Sequence, residues 1–170
     1  MNTKFRFTRF VFALMLVISA VAIPASTVLA ADQVKEEYDF TMDLTMNDVC
    51  AFPINMFGMV HTVHIMFFDN DGNFTRMNFN SVQTDTFSAN GKTLVGLPHT
   101  YAGELFMKPA GVIHLYRNGV QEKVLLPDGS YFVSAGRFDW AAPGAKNDLI
   151  LIPTVGVSHN LAGFCAALAP

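Results

Sequence analysis

The chain has 170 residues, of which 51% are hydrophobic and 15% charged, with a formal net charge of −3. An acidic, apolar-rich chain with no basic tract argues against binding to nucleic acid or to an anionic membrane surface. Its length suits one domain able to build its own core.

Residues 1–30 read as an export signal. Lys4, Arg6 and Arg9 precede an uncharged apolar run from Phe10 to Ile23, followed by Pro24 and the small residues Ala25 to Ala30. The run is shorter than the ~20 residues a spanning helix needs, and Val28 and Ala30 fit the small-residue cleavage rule, so cleavage before Ala31 is expected rather than anchoring. Losing the three basic residues leaves eight Lys and Arg against fourteen Asp and Glu, a mature charge of −6. The expected location is extracytoplasmic, secreted or periplasmic, with no membrane span in the mature chain.

Residues 31–46 follow as an acidic stretch, with Asp32, Glu36, Glu37, Asp39 and Asp43, read as a solvated leader or a loosely attached first strand. Residues 47–170 are read as a single all-β domain. Its punctuation is turn chemistry: Asp69-Asn70-Asp71-Gly72-Asn73, Asn90-Gly91, Pro109-Ala110-Gly111, Asn118-Gly119 and Pro127-Asp128-Gly129 each separate short segments rich in β-branched and aromatic residues. Five hairpin signals leave little room for helices. The spacing predicts an antiparallel meander of about eight to ten strands, closed into a small barrel or folded into a two-layer sandwich. A last apolar strand is expected over Leu149–Pro153.

Within the strands, Leu105 and Met107 alternate with Glu104 and Lys108, and Val120, Val124 and Leu126 with Gln121 and Lys123. The segment 59–68 is apolar on both faces and must be covered twice. Met59, His61, Val63, Ile65 and Phe67 are therefore the candidate lining of an apolar binding surface for a small molecule or a protein partner.

Cys50 and Cys165 are the only cysteines, and in an oxidising compartment they are expected to pair. Closing so long a loop stabilises by up to about 4–5 kcal/mol in the chain-entropy account.

Sites for chemistry are sparse. His61 and His64 are metal candidates by residue type, and the methionines nearby suit a soft ion, but positions i and i+3 of a regular strand face opposite ways. Asp69-x-Asp71-Gly72-Asn73 resembles the start of a calcium loop, yet its glycine is fourth rather than sixth and Asn80 occupies the twelfth position, so a hairpin turn explains it better. Asn73-Phe74-Thr75 is a formal glycosylation sequon. No Gly-x-Ser-x-Gly, His-Glu-x-x-His or phosphate loop is present. A carboxylate pair assembled in space from Asp85, Glu104, Glu122, Asp128 or Asp139 would permit a secreted hydrolase or isomerase. His99, His114 and His159 are scattered, and no cofactor is implied.

Cys50-Ala51-Phe52, the Asp-Gly and Asn-Gly turns, Asp128-Gly129-Ser130-Tyr131 leading to Gly136-Arg137, and Phe164-Cys165-Ala166-Ala167-Leu168 resemble a group of small secreted bacterial all-β proteins with a terminal disulfide. The likeness spans most of the mature chain and implies that fold and that disulfide, with no site residues. The function expected is binding without catalysis, the rivals being the hydrolase or isomerase and an extracytoplasmic His/Met metal-binding protein.

Overall fold

A computed structural model describes residues 33–107, 113–142 and 151–170. Eight strands and one helix follow in order: β1 (Gln33–Met46), β2 (Ile54–Phe68), β3 (Phe74–Ala89), β4 (Lys92–Val95), β5 (His99–Met107), β6 (Ile113–Leu125), β7 (Tyr131–Asp139), β8 (Val155–His159) and α1 (Leu161–Leu168). All strand pairs are antiparallel, in the order β1-β2-β3-β5-β6-β7-β8, with β4 beside β3. The all-β meander expected from the turns is what forms. It is one open sheet rather than a closed barrel or a two-layer sandwich: among the described residues β1 and β8 are edges that do not pair with each other.

The stretch 33–46 is the first strand, paired along its length with β2 and mostly exposed. Three of the turn signals act as turns. Gly72 (φ 78°) closes β2–β3, Asn90 and Gly91 (φ 52° and 74°) close β3–β4, and Gly129 (φ 84°) closes β6–β7. Pro109-Ala110-Gly111 lies outside the described residues.

Asn118-Gly119 is not a turn, because β6 runs straight through it. Gly119 pairs with Gly136, and Gly136 with Gly156, at φ of 129°, 144° and 150°. A Cβ on Gly136 would run into the Val155 carbonyl oxygen, and one on Gly156 into that of Ala135. The glycine row serves close backbone approach across three strands, where a side chain would hold them apart. The strand expected at Leu149–Pro153 is also absent where it is described. Leu151 is fully buried off the sheet, Leu149 and Ile150 lie outside the described residues, and the last strand is β8.

The helix runs against the expectation that so many turns leave little room for one. Eight residues cannot hold a helix alone in water; α1 is held by its ends and its buried face. Asn160 (φ 60°) caps it, its side-chain oxygen accepting from the Gly163 N–H at 3.2 Å. Phe164, fully buried, lies edge-on to Phe87 at 5.2 Å and over Phe132 at 4.7 Å between ring centres. With Ile54, Met56 and Leu168 these rings form the core beneath one end of the sheet. Cys165 bonds to Cys50, which lies between β1 and β2, across 115 residues with Cα atoms 5.6 Å apart. The pairing read from the sequence is the one formed, and such a bond fits an oxidising environment. No helix among the described residues is long and apolar enough to cross a membrane.

Candidate functional site

Strand alternation sends one set of side chains to the concave face. In β2, Ile54, Met56, Gly58, Val60 and Thr62 are buried while Asn55, Phe57, Met59 and His61 between them are exposed. The inner face beyond the α1 core holds an open cavity of about 360 Å³ reaching from β1 to β6. Phe40, Met77, Phe79, Leu105, Leu115 and Trp140 supply most of its apolar lining. Its polar groups largely satisfy one another: Tyr38 Oη lies 3.0 Å from His64 Nδ1, and Thr62 Oγ1 lies 2.8 Å from Ser81 Oγ. Burial holds the His64 imidazole below its usual range, against the pull of Glu36.

Arg117 is the exception. It is 6% exposed, lies opposite Gly103 in the β5–β6 register and lines the cavity from β6. Its guanidinium carbon sits 4.4 Å from the ring centre of Tyr101, 5.0 Å from Trp140 and 5.7 Å from Phe138. Nε and Nη2 have no hydrogen-bond partner, and no carboxylate comes within ion-pair distance among the described residues. Burial lowers its proton affinity, opposed by the Tyr101 hydroxyl, which also hydrogen-bonds it, and by the Glu122 and Asp85 carboxyls. Arg117 is thus a buried cation in the wall of an apolar cavity, with two buried donors that lack partners, an arrangement that costs free energy unless an acceptor is supplied.

Below the cavity lies a polar knot. The Tyr101 hydroxyl donates to Gln83 Oε1 at 2.7 Å, and Gln83 Nε2 donates to both oxygens of Asp85, at 2.8 and 2.9 Å. Gly58 makes room for that carboxylate, since a Cβ there would sit 2.5 Å from Asp85 Oδ1. His99 Nε2 lies 3.7 Å from Asp85 Oδ2. Glu122 arrives from β6 through a bulge: Val120 pairs with Ala135 and Glu122 with Ser134, leaving Gln121 as the extra residue. Two successive side chains, Gln121 and Glu122, are thereby fully buried, overturning the outward position that plain alternation assigns to Gln121. Burial raises the proton affinity of Glu122 strongly, helped by Asp85, and when protonated it hydrogen-bonds the Asp85 carboxylate. Burial raises Asp85 and lowers His99 as well.

The residues picked from the sequence lie on the opposite face of β2. Met59 and His61 are exposed and line a second cavity of about 630 Å³ with Asp39, Thr41, Val82 and Thr84, and Val63 lines a third of about 370 Å³; Ile65 and Phe67 are half-buried, and from β2 it is Thr62 and His64 that reach the cavity beside Arg117. His61 and His64 do face opposite ways. His61 Nδ1 is 2.8 Å from Asp39 Oδ1 on the convex side, whereas His64 meets Tyr38 in the cavity. The Asp69 loop is a hairpin turn in which Asp69 Oδ1 accepts from the backbone N–H groups of Asp71 and Asn73. Of the candidate carboxylates, Asp85 and Glu122 come together with His99; Glu104 pairs with Tyr116, Asp139 with His114 at 2.8 Å, and Asp128 with Ser130 in its turn. Arg117 belongs to no motif, although it continues the Ile113, Leu115 parity and an arginine in phase with apolar residues is a readable signal.

No protein-family model, no curated protein and no solved structure matches the chain, so the resemblance to a secreted bacterial group has no family behind it. What stands is an all-β protein with a disulfide near its C-terminus.

Proposed function

We propose that this is an exported binding protein whose concave cavity takes a small amphipathic anion, an apolar body ending in a carboxylate or similar group. Arg117 carries the reading: an apolar lining gives affinity for the body, and a desolvated guanidinium with free Nε and Nη2 selects the charged end. The volume, near the lower limit of ligand sites, suits a compact ligand or one short chain. The leader-like first thirty residues and the disulfide support action outside the cytoplasm.

The single tryptophan, Trp140, lines the cavity and reports binding by its fluorescence. Titration with dodecanoate and with 1-dodecanol should give a preference for the acid of about tenfold or more, which Arg117→Met abolishes. Equal affinity for acid and alcohol in the parent protein would reject the reading.

A further inference from the structure

The polar knot beneath the cavity holds a second, independent feature. Asp85 from β3, His99 from β5 and Glu122 from the β6 bulge bring one ligand atom each to within 4.8 Å of one another, with all three residues buried. The Leu97 carbonyl lies 3.2 Å from His99 Nδ1. A carbonyl can only accept, so the proton is on Nδ1 and Nε2 turns a lone pair toward Asp85, the arrangement by which a backbone carbonyl orients a metal-ligating imidazole. His99 Nε2 and both oxygens of Glu122 have no hydrogen-bond donor. His99 Nε2 and the two Glu122 oxygens thus converge, unpartnered, on the Asp85 carboxylate in a dry interior. A proton shared by Asp85 and Glu122 would leave His99 Nε2 unpartnered, whereas one cation satisfies all three.

We infer that Asp85, His99 and Glu122 form a structural site for a divalent transition-metal ion. One nitrogen and two carboxylates suit Zn²⁺, Co²⁺, Mn²⁺ or Fe²⁺; Cu⁺ prefers sulfur, and Ca²⁺ requires six or more oxygens. The bulge at Gln121 has a purpose in this light, since without it Glu122 would not share the interior with Gln121. The ion would tie β3, β5 and β6 together under the cavity floor. The Asp and His side chains are 0% and 2% exposed, so the ion would be shut off from solvent and its role would be to hold the strands. Two carboxylates neutralise the ion and leave the Arg117 charge to the cavity, but the inference does not depend on what the cavity binds.

The test uses the purified protein with its disulfide formed, stripped by chelator and refolded with Zn²⁺ or Co²⁺ because the site is closed. One equivalent of metal should be retained after desalting, with the visible absorption of low-symmetry Co²⁺ in the Co²⁺ form. At a free metal concentration of a hundred times Kd, the folded-to-unfolded ratio should rise about a hundredfold. Glu122→Gln and His99→Gln, each confirmed as folded by circular dichroism, should each weaken retention at least tenfold, while His61→Gln leaves it unchanged. Absence of metal uptake by the parent protein would overturn the inference in favour of a shared proton. Retention abolished by His61→Gln, or unaffected by both core variants, would overturn it by placing the ion on the convex surface.

Discussion

Arg117→Met should make the unliganded protein more stable while removing its selectivity for anions. The guanidinium is 6% exposed and lacks partners for Nε and Nη2, so it loses hydration without the ion pair that would offset the loss. Its compensation is stacking on Tyr101 and Trp140, each contact worth about 0.5–2 kcal/mol. Replacing buried ionic groups by apolar side chains of similar volume stabilises by about 1–4 kcal/mol, and methionine retains most of the volume, so a net gain of about 1–3 kcal/mol is expected. For a domain of this size that raises Tm by about 3–4 °C per kcal/mol. The same variant should weaken dodecanoate binding about 30-fold or more by removing the charge-assisted hydrogen bonds. Differential scanning calorimetry and Trp140 fluorescence read the two effects. A fall in Tm would mean that the guanidinium is satisfied internally, and the argument for an anion receptor would collapse.

Replacing both cysteines by serine should lower stability by about 2–5 kcal/mol in denaturant unfolding, because Cys50–Cys165 closes a loop spanning most of the domain; no change would mean that α1 docks without it. Phe164→Ala should cost about 3–5 kcal/mol, read as a lower denaturant midpoint, because Phe87 and Phe132 would then face a cavity under the sheet in place of a ring. Gly58→Ala should cost about 1–3 kcal/mol, read the same way, by pressing its methyl against Asp85, and Gly58→Ala combined with Asp85→Ala should recover part of that loss. In chelator, stability should depend on pH in two opposed ways. Glu122 and Asp85 have raised proton affinities, so the unfolded chain ionises first and stability falls as pH rises above their ordinary values of 4.5 and 3.8; His99 is lowered, so stability also falls as pH drops through its ordinary 6.5. Glu122→Gln should flatten the alkaline decline and be more stable than the parent at pH 8 by urea titration; a less stable variant would contradict the burial argument.

Turn chemistry makes most of the meander legible, since Asn90-Gly91 and Pro127-Asp128-Gly129 need backbone conformations that fix a reversal. It misleads at Asn118-Gly119, where glycine is needed for close contact with Gly136 on a neighbouring strand, a demand invisible without the pairing. Segment 59–68 shows two apolar faces, but period-two alternation does not say which face is the inner one when both are apolar, and the set from Met59 to Phe67 is the more exposed one. Asp85, Glu122 and His99 are visible in the sequence only as residue types. Their meeting depends on three non-local strands and on a bulge that reverses alternation at Gln121, and neither leaves a local trace.

The most direct test of the binding claim is a crystal structure of the protein with dodecanoate. The carboxylate is expected about 2.7–2.9 Å from Nε or Nη2 of Arg117, with the chain lying along Phe79, Leu105 and Leu115 beside Trp140. A chain seated on the convex face beside Met59, Val63 and Ile65, or a carboxylate left in solvent with Arg117 still unpartnered, would contradict it.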